Sequence, residues 1–206
     1  MSQTKYSLSF TTGSLFLQES LLIAGLYLDN FDWAQVRQVV VKDNLLQART
    51  QNTSERVCSE VISRLKHLTR AQLELLSQGS RHDQYYLLWL AICRRYAFIG
   101  DFAQEMLREK FLRFVSELTY LDFDIFFHRK QEWHEELNQI KPITRQKLRQ
   151  TLFKMMREAD LINAKSLIQP VLLSGALLQV IQADRLEDLR FFPIFDTDLQ
   201  FGLQAV

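Results

Sequence analysis

Six glycines and three prolines are spread over 206 residues, and this shortage of turn formers constrains the chain more than any other feature. With long runs of Leu, Gln, Arg and Glu between them, it predicts a mostly helical, all-α protein. Apolar residues make up 47% of the chain, enough for one generous domain or two small ones folding without staples. Cys58 and Cys93 are isolated from each other and lack C-x-x-C spacing, which fits a reducing compartment, so a cytoplasmic protein is expected. Residues 14–28 are the one candidate membrane segment. Gln18 and Glu19 interrupt them, and the uninterrupted part falls short of the roughly 20 residues a bilayer requires. A buried core helix is expected there, and no membrane partner.

Apolar periodicity and capping residues divide the chain into helices. The first is expected to start near Ser14, with Leu15, Leu22 and Leu26 inward and other helices all around it. Asp32 can cap a second through Trp33, Val36, Val39 and Val40, and a third runs from about Ser54 to Leu65. Thr69 and Gln72 match a capping box for a short helix ended by Gly79, and a strongly apolar helix follows over residues 83–96. Asp101 is the expected cap of a long helix to about Leu118. Asp122 or Asp124 is expected to begin another, ending near Gln139. Pro142 then breaks the chain, Thr144 caps a basic helix ending around Asp160, and residues 161–170 read as either a small β-hairpin or an irregular connector. Ser174 starts a last helix, and residues 190–195 form an apolar tail expected to dock on the body. The expected organisation is an N-terminal helical bundle over residues 1–140 and a C-terminal helical module over residues 141–206, with continuity between them left open.

Formal net charge is only +1, so distribution matters more than total. Residues 137–157 hold six cations and no acid, whereas residues 101–136 hold five cations against nine acids and residues 158–206 three against seven. On a helical wheel Leu148, Leu152, Met155 and Ala159 share one side, and Lys147, Gln150, Lys154 and Arg157 the other. Arg145 and Arg149 fall at the border, where long stems can cover apolar surface while the charged heads stay wet. A helix over residues 132–140, the short turn and this basic helix fit a helix-turn-helix, and a hairpin after it would make a winged-helix element. Phosphates need cations on one surface, and Gln and Arg can reach base edges. Lys141, Arg145, Lys147, Arg149, Lys154 and Arg157, with Gln146 and Gln150, are therefore the candidate nucleic-acid-binding residues. The same residues read equally as a solvated helix face.

Arg37, Lys42, Arg49 and Arg56 form a secondary candidate surface, although a cation at a helix end also favours the negative end of the dipole. Arg94 and Arg95, beside Tyr96, could stack on bases or pack into the core. His128 and His134 lie six apart near Glu132, Glu135 and Glu136, which is not the i, i+4 pairing of a helical zinc site, and Asp122 and Asp124 read as helix-start acids. Phosphate-loop, dinucleotide, nucleophile-elbow and H-E-x-x-H signatures are all missing. No catalytic residue, metal or cofactor is expected, and an enzyme is not.

Four blocks in order carry a family resemblance: YSLSFTTGSLFLQES (6–20), DNLLQART (43–50), LLWLAICRRYAFIGDFA (87–103) and TRQKLRQTLFKMMREADLI (144–162). Together they resemble the BrxA family of the BREX bacteriophage-exclusion systems, over nearly the full chain. The resemblance implies a bacterial phage-defence protein, helical and similar in fold to the NusB antitermination family. It also implies double-stranded DNA as a partner, with RNA left open, and work beside other BREX proteins. It brings no catalytic residues. The expected function is non-enzymatic DNA binding with little sequence specificity. The alternatives are an adaptor that holds other BREX components through apolar helix faces or residues 191–195, and an RNA-binding protein.

Overall fold

The computed structural model describes residues 5–11, 13–30 and 32–195. Eleven α-helices follow one another among these residues: α1 (Leu17–Asn30), α2 (Trp33–Lys42), α3 (Gln51–Leu65), α4 (Arg70–Gln78), α5 (Arg81–Arg95), α6 (Ala97–Phe102), α7 (Glu109–Leu112), α8 (Tyr120–Gln131), α9 (Glu135–Asn138), α10 (Pro142–Glu158) and α11 (Gly175–Gln182). A π-helical stretch, Ala103–Arg108, joins α6 to α7, and a 3-10 helix, Leu186–Phe191, follows α11. Strand pairing among the described residues is limited to two isolated bridges, Glu117 with Leu167 and Ile162 with Ile168. The architecture is all-α.

Side-chain caps set most helix starts. Thr69 and Gln72 close a capping box on α4, and Gly79 ends that helix, as the sequence predicts. The same device, with aspartate at the third position, starts α5 at Ser80 and Asp83 and α8 at Thr119 and Asp122. Asp32, Thr50 and Ser174 cap α2, α3 and α11.

Several expected boundaries move, each for a local reason. The first helix begins at Leu17, because Phe16 takes a left-handed backbone (φ 56°) that a helix cannot contain. Asp101 caps nothing. It lies inside α6, where its carboxylate accepts from Lys130 Nζ at 2.8 Å and from the Tyr6 hydroxyl. The long helix expected to Leu118 stops at Leu112, and Phe114 turns the chain with φ 58°. Thr119 starts α8, which ends at Gln131, so α9 between it and the basic helix is a single turn. The basic helix starts at Pro142, with Lys141 at the cap position and Thr144 already inside the first turn.

The central buried helix is α5, where every residue from Tyr86 to Cys93 is buried. It packs against α1, α3, α4, α6, α10 and the 3-10 helix. By contrast α1 leaves Leu22 exposed and buries Ile23 and Ala24. One hydrophobic core runs from Tyr6 to Ile194 and includes Trp89, Phe98, Phe102, Phe123, Phe126 and Phe153. The tail docks as expected: Phe191, Phe192 and Ile194 are buried, and Trp89 Nε1 donates to the Phe191 carbonyl at 2.9 Å. Cys58 and Cys93 are free and buried, and burial pushes both thiols above their ordinary pKa. None of the described helices is long and apolar enough to cross a membrane.

Candidate nucleic-acid interface

Helix α10 divides its cations into two groups. Its apolar stripe is fully buried, with Leu148, Leu152, Met155 and Ala159 all inaccessible. At one border of the stripe, Arg145 and Arg149 close on a single carboxylate of α8. Arg145 Nη2 is 2.9 Å from Asp124 Oδ1, and Arg149 Nη1 is 2.6 Å from Asp124 Oδ2. The Arg145 guanidinium lies 4.7 Å from the Phe127 ring centroid, and that of Arg149 lies 4.6 Å from Tyr120. Phe153, one turn further on, meets Tyr120 edge to face. Contacts therefore step forward along α10 and backward along α8, so the two helices run antiparallel. With only 22% of each side chain exposed, these two arginines fasten helices together and present little charge to solvent.

The remaining candidate residues on and beside α10 are more accessible. Lys141, Gln146, Lys147 and Gln150 are exposed, and neither Lys141 nor Lys147 has an ion-pair partner among the described residues. Lys154 is exposed, with Glu158 four residues on at 3.7 Å, too far for a hydrogen bond. Arg157 is half-buried and lines a cleft of about 420 Å³ with Arg81, Tyr85 and Asp160.

On the other side of the N-terminal segment lies a groove of about 570 Å³, where Lys154 of α10, Arg56 of α3 and Arg95 at the end of α5 come together. Ser9, Ser14, Ser59 and Ser63 add hydroxyls to its walls. Both hollows are bordered by Ser14 and Phe16, so residues 13–16 form a ridge between them. The ridge is tied down from below. Arg64, itself buried, donates to the Ser14 carbonyl at 2.7 Å and lies 5.3 Å from the Phe16 ring centroid, while Leu15 N donates to Glu158 Oε2 at 2.6 Å.

Glu60 is the single carboxylate of the groove lining among the described residues, and its charge is already engaged. Its Oε1 accepts from Arg64 Nε at 2.7 Å and from the Tyr96 hydroxyl at 2.6 Å. Burial, and then the hydrogen bond to Glu60, push the Tyr96 phenol above its ordinary pKa, so it stays a neutral donor. The groove thus offers three cations and several hydroxyls to an anion without a free competing carboxylate.

Other sequence candidates scatter. Arg37 and Lys42 line a separate hollow with Gln38, Gln51 and Glu55, and Arg49 is exposed in the turn before α3. Arg94 is structural: it is buried against Asp188 at 2.6 Å and Asp184 at 2.8 Å, and donates to the His67 carbonyl at 2.8 Å. Arg81 is the cleft residue that the sequence gives no reason to single out, and of the Arg94–Arg95 pair that the sequence leaves between base stacking and core packing, Arg95 lines the groove. Neighbours on a helix point about 100° apart, and only the acids opposite Arg94 decide which arginine turns inward. His134 stacks on Tyr6 at 3.8 Å, and His128 Nδ1 sits 2.8 Å from the Asp124 carbonyl. Asp122 is held by Lys110 Nζ at 2.6 Å and by its own cap.

A family model named BrxA matches residues 4–185, almost all of the chain. The chain belongs to the BrxA family. Curated relatives called "BREX protein BrxA" include one from Bacillus cereus, 25% identical over 154 residues, covering 75% of this chain and 77% of the relative. Another, from Escherichia coli O9:H4, is 26% identical over 151 residues, covering 73% and 71%. A third, from Paramagnetospirillum magneticum, is 23% identical over 184 residues, covering 88% and 92%. A crystal structure of an uncharacterized protein from Magnetospirillum magneticum superposes with a TM-score of 0.79 at 20% identity, covering 92% of this chain and 98% of that one. The BrxA assignment thus comes with a fold shared along nearly the whole chain.

Proposed function

We propose that this BrxA-family protein is a DNA-binding component of a BREX phage-defence system, acting without catalysis and gripping the sugar-phosphate backbone. Family membership supports the place in BREX. The observation that carries the binding is the meeting of Arg56, Arg95 and Lys154 in one groove whose only carboxylate among the described residues is paired with the buried Arg64. Lys147 is a further exposed cation on α10, whereas Arg157 and Arg81 share their cleft with Glu19, Glu158 and Asp160 and add little net charge. Point charges and hydroxyls fit phosphates and carry little sequence information, so specificity is weak.

If about three to five phosphates are neutralised, affinity for duplex DNA falls with salt at a log-log slope of roughly −3 to −4.5. The triple variant Arg56→Gln, Arg95→Gln, Lys154→Gln lowers the size of that slope by roughly 2 to 3 and leaves the circular dichroism spectrum unchanged. An unaltered slope in a folded triple variant would place the binding elsewhere. Running the titration in parallel on duplex DNA, single-stranded DNA and RNA separates the three ligands.

A second reading, an adaptor for other BREX proteins, is favoured by a specific surface. Leu121 and Ile125, one turn apart on α8, are 66% and 52% exposed, and Trp133 just beyond is 69% exposed. The apolar tail cannot serve this role, since Phe191 and Phe192 are buried in the protein's own core. Replacing Leu121 and Ile125 by Ser abolishes capture of BREX partners under this reading while duplex binding persists.

A further inference from the structure

A second cationic hollow shares no residue with the groove or the cleft beside it. It measures about 720 Å³ and is lined by Arg108 from the π-helical stretch, Lys110 from α7, Arg113 just past the end of α7, Arg129 from α8 and Arg190 from the 3-10 helix. The backbone on one wall is unusual: Ala103–Arg108 is wound as a π-helix, with i→i+5 bonds, a geometry often found at functional sites. Gln104 and Met106 from this stretch also line the hollow.

Among the described residues, five cations line the hollow with two carboxylates, Glu105 and Glu109, which leaves positive charge in excess. Glu105 is shared between Arg129 Nη2 and Lys130 Nζ, both at 2.6 Å. Glu109 reaches Arg113 at only 3.4 Å, and that arginine is 76% exposed. Arg190 is exposed and has no ion-pair partner among the described residues. Lys110 is paired with Asp122 at 2.6 Å, so its charge is already compensated and it is not counted among the donors. The accessible donors are therefore Arg113, Arg190 and the outer edge of Arg129, three forked guanidinium groups contributed by separate elements. Forked donors around a hollow suit an anion with several oxygens in more than one direction. At about 720 Å³ the hollow falls within the roughly 300–1,000 Å³ range of pockets that take small ligands.

We propose that this hollow, with Arg113, Arg129 and Arg190, is a binding site for a small polyphosphate anion, such as the phosphate chain of a nucleoside triphosphate. The test is titration calorimetry on the full chain at low salt with inorganic tripolyphosphate and, separately, ATP. Binding of either ligand supports the site, and ATP binding more tightly than tripolyphosphate assigns the nucleotide as its source. The double variant Arg113→Gln, Arg190→Gln weakens binding roughly tenfold or more, since two charge-assisted contacts are lost from exposed positions that do not support the fold. Glu109→Gln moves the other way, tightening binding severalfold by removing a competing carboxylate. Arg56→Gln with Lys154→Gln, which alters only the groove, leaves polyphosphate affinity within twofold. The proposal is overturned if neither anion binds at millimolar concentration, or if the groove variant and the Arg113/Arg190 variant lose affinity equally.

Discussion

Asp124 allows the structural cations of α10 to be separated from the binding ones by one substitution. Asp124→Asn keeps the shape of the side chain and removes the charge that holds Arg145 at 2.9 Å and Arg149 at 2.6 Å. Deleting one partner of a fully buried pair costs roughly 3–5 kcal/mol, and a fully exposed pair is worth under about 1 kcal/mol. Here the aspartate is 27% exposed and each arginine 22%, so the site lies between these limits. Asn retains one acceptor oxygen, and both guanidinium groups keep their aromatic contacts, which brings the expected loss to roughly 2 kcal/mol. In a chain of this size each kcal/mol moves Tm by about 2–4 °C, so melting should fall by about 4–8 °C at neutral pH. The matching experiment on the cations is Arg145→Gln with Arg149→Gln, followed by calorimetry and salt-titrated duplex binding. Melting falls, and the salt slope stays within about half a unit of the parent. A Tm within 1 °C of the parent in Asp124→Asn, or a slope reduced by about two in the double arginine variant, would refute the assignment.

Three further outcomes follow from the packing. In Asp122, burial raises the carboxyl pKa but the Lys110 and Thr119 hydrogen bonds outweigh it and hold the group below its ordinary value. A depressed folded pKa contributes stability above the unfolded value of about 3.9 and loses it as pH falls through the folded one. The stability gap between the parent and Asp122→Asn should therefore be full at neutral pH and narrow below about pH 4, as read by denaturant unfolding; a gap constant down to pH 2 would contradict the ion pair with Lys110. Trp89→Phe removes a fully buried indole and leaves the Phe191 carbonyl without its donor, costing about 2–4 kcal/mol in urea unfolding. Gly79→Ala would place a Cβ 2.5 Å from the Leu75 carbonyl oxygen, so α4 must shift at its end, and a loss of about 1–3 kcal/mol is expected on thermal unfolding.

Local chemistry made much of the helical framework legible. The Thr69–Gln72 box, the Asp32 and Ser174 caps and the stop at Gly79 act within four residues and need no tertiary partner. The boxes at Ser80–Asp83 and Thr119–Asp122 carry the same signal with aspartate in place of Gln, and would have corrected two helix starts. Asp101 misled because a cap and an acid engaged by a distant lysine look alike in sequence; Lys130 lies on another helix. The π-helical stretch and the left-handed residues Phe16 and Phe114 also have no glycine to mark them.

For the candidate site, the sequence by itself determined that α10 has a buried stripe and a cationic border, because an amphipathic pattern is a property of one helix. It could not determine which cations remain free. Arg145 and Arg149 turn inward because α8 presents Asp124, Phe127 and Tyr120 to them, and Arg94 because Asp184 and Asp188 lie opposite. Arg56, Arg95 and Lys154 come together only when α3, α5 and α10 pack around the N-terminal ridge. A charge is fixed by its residue type, but its availability depends on the distance to its nearest counter-charge, and across separate helices only the tertiary structure sets that distance.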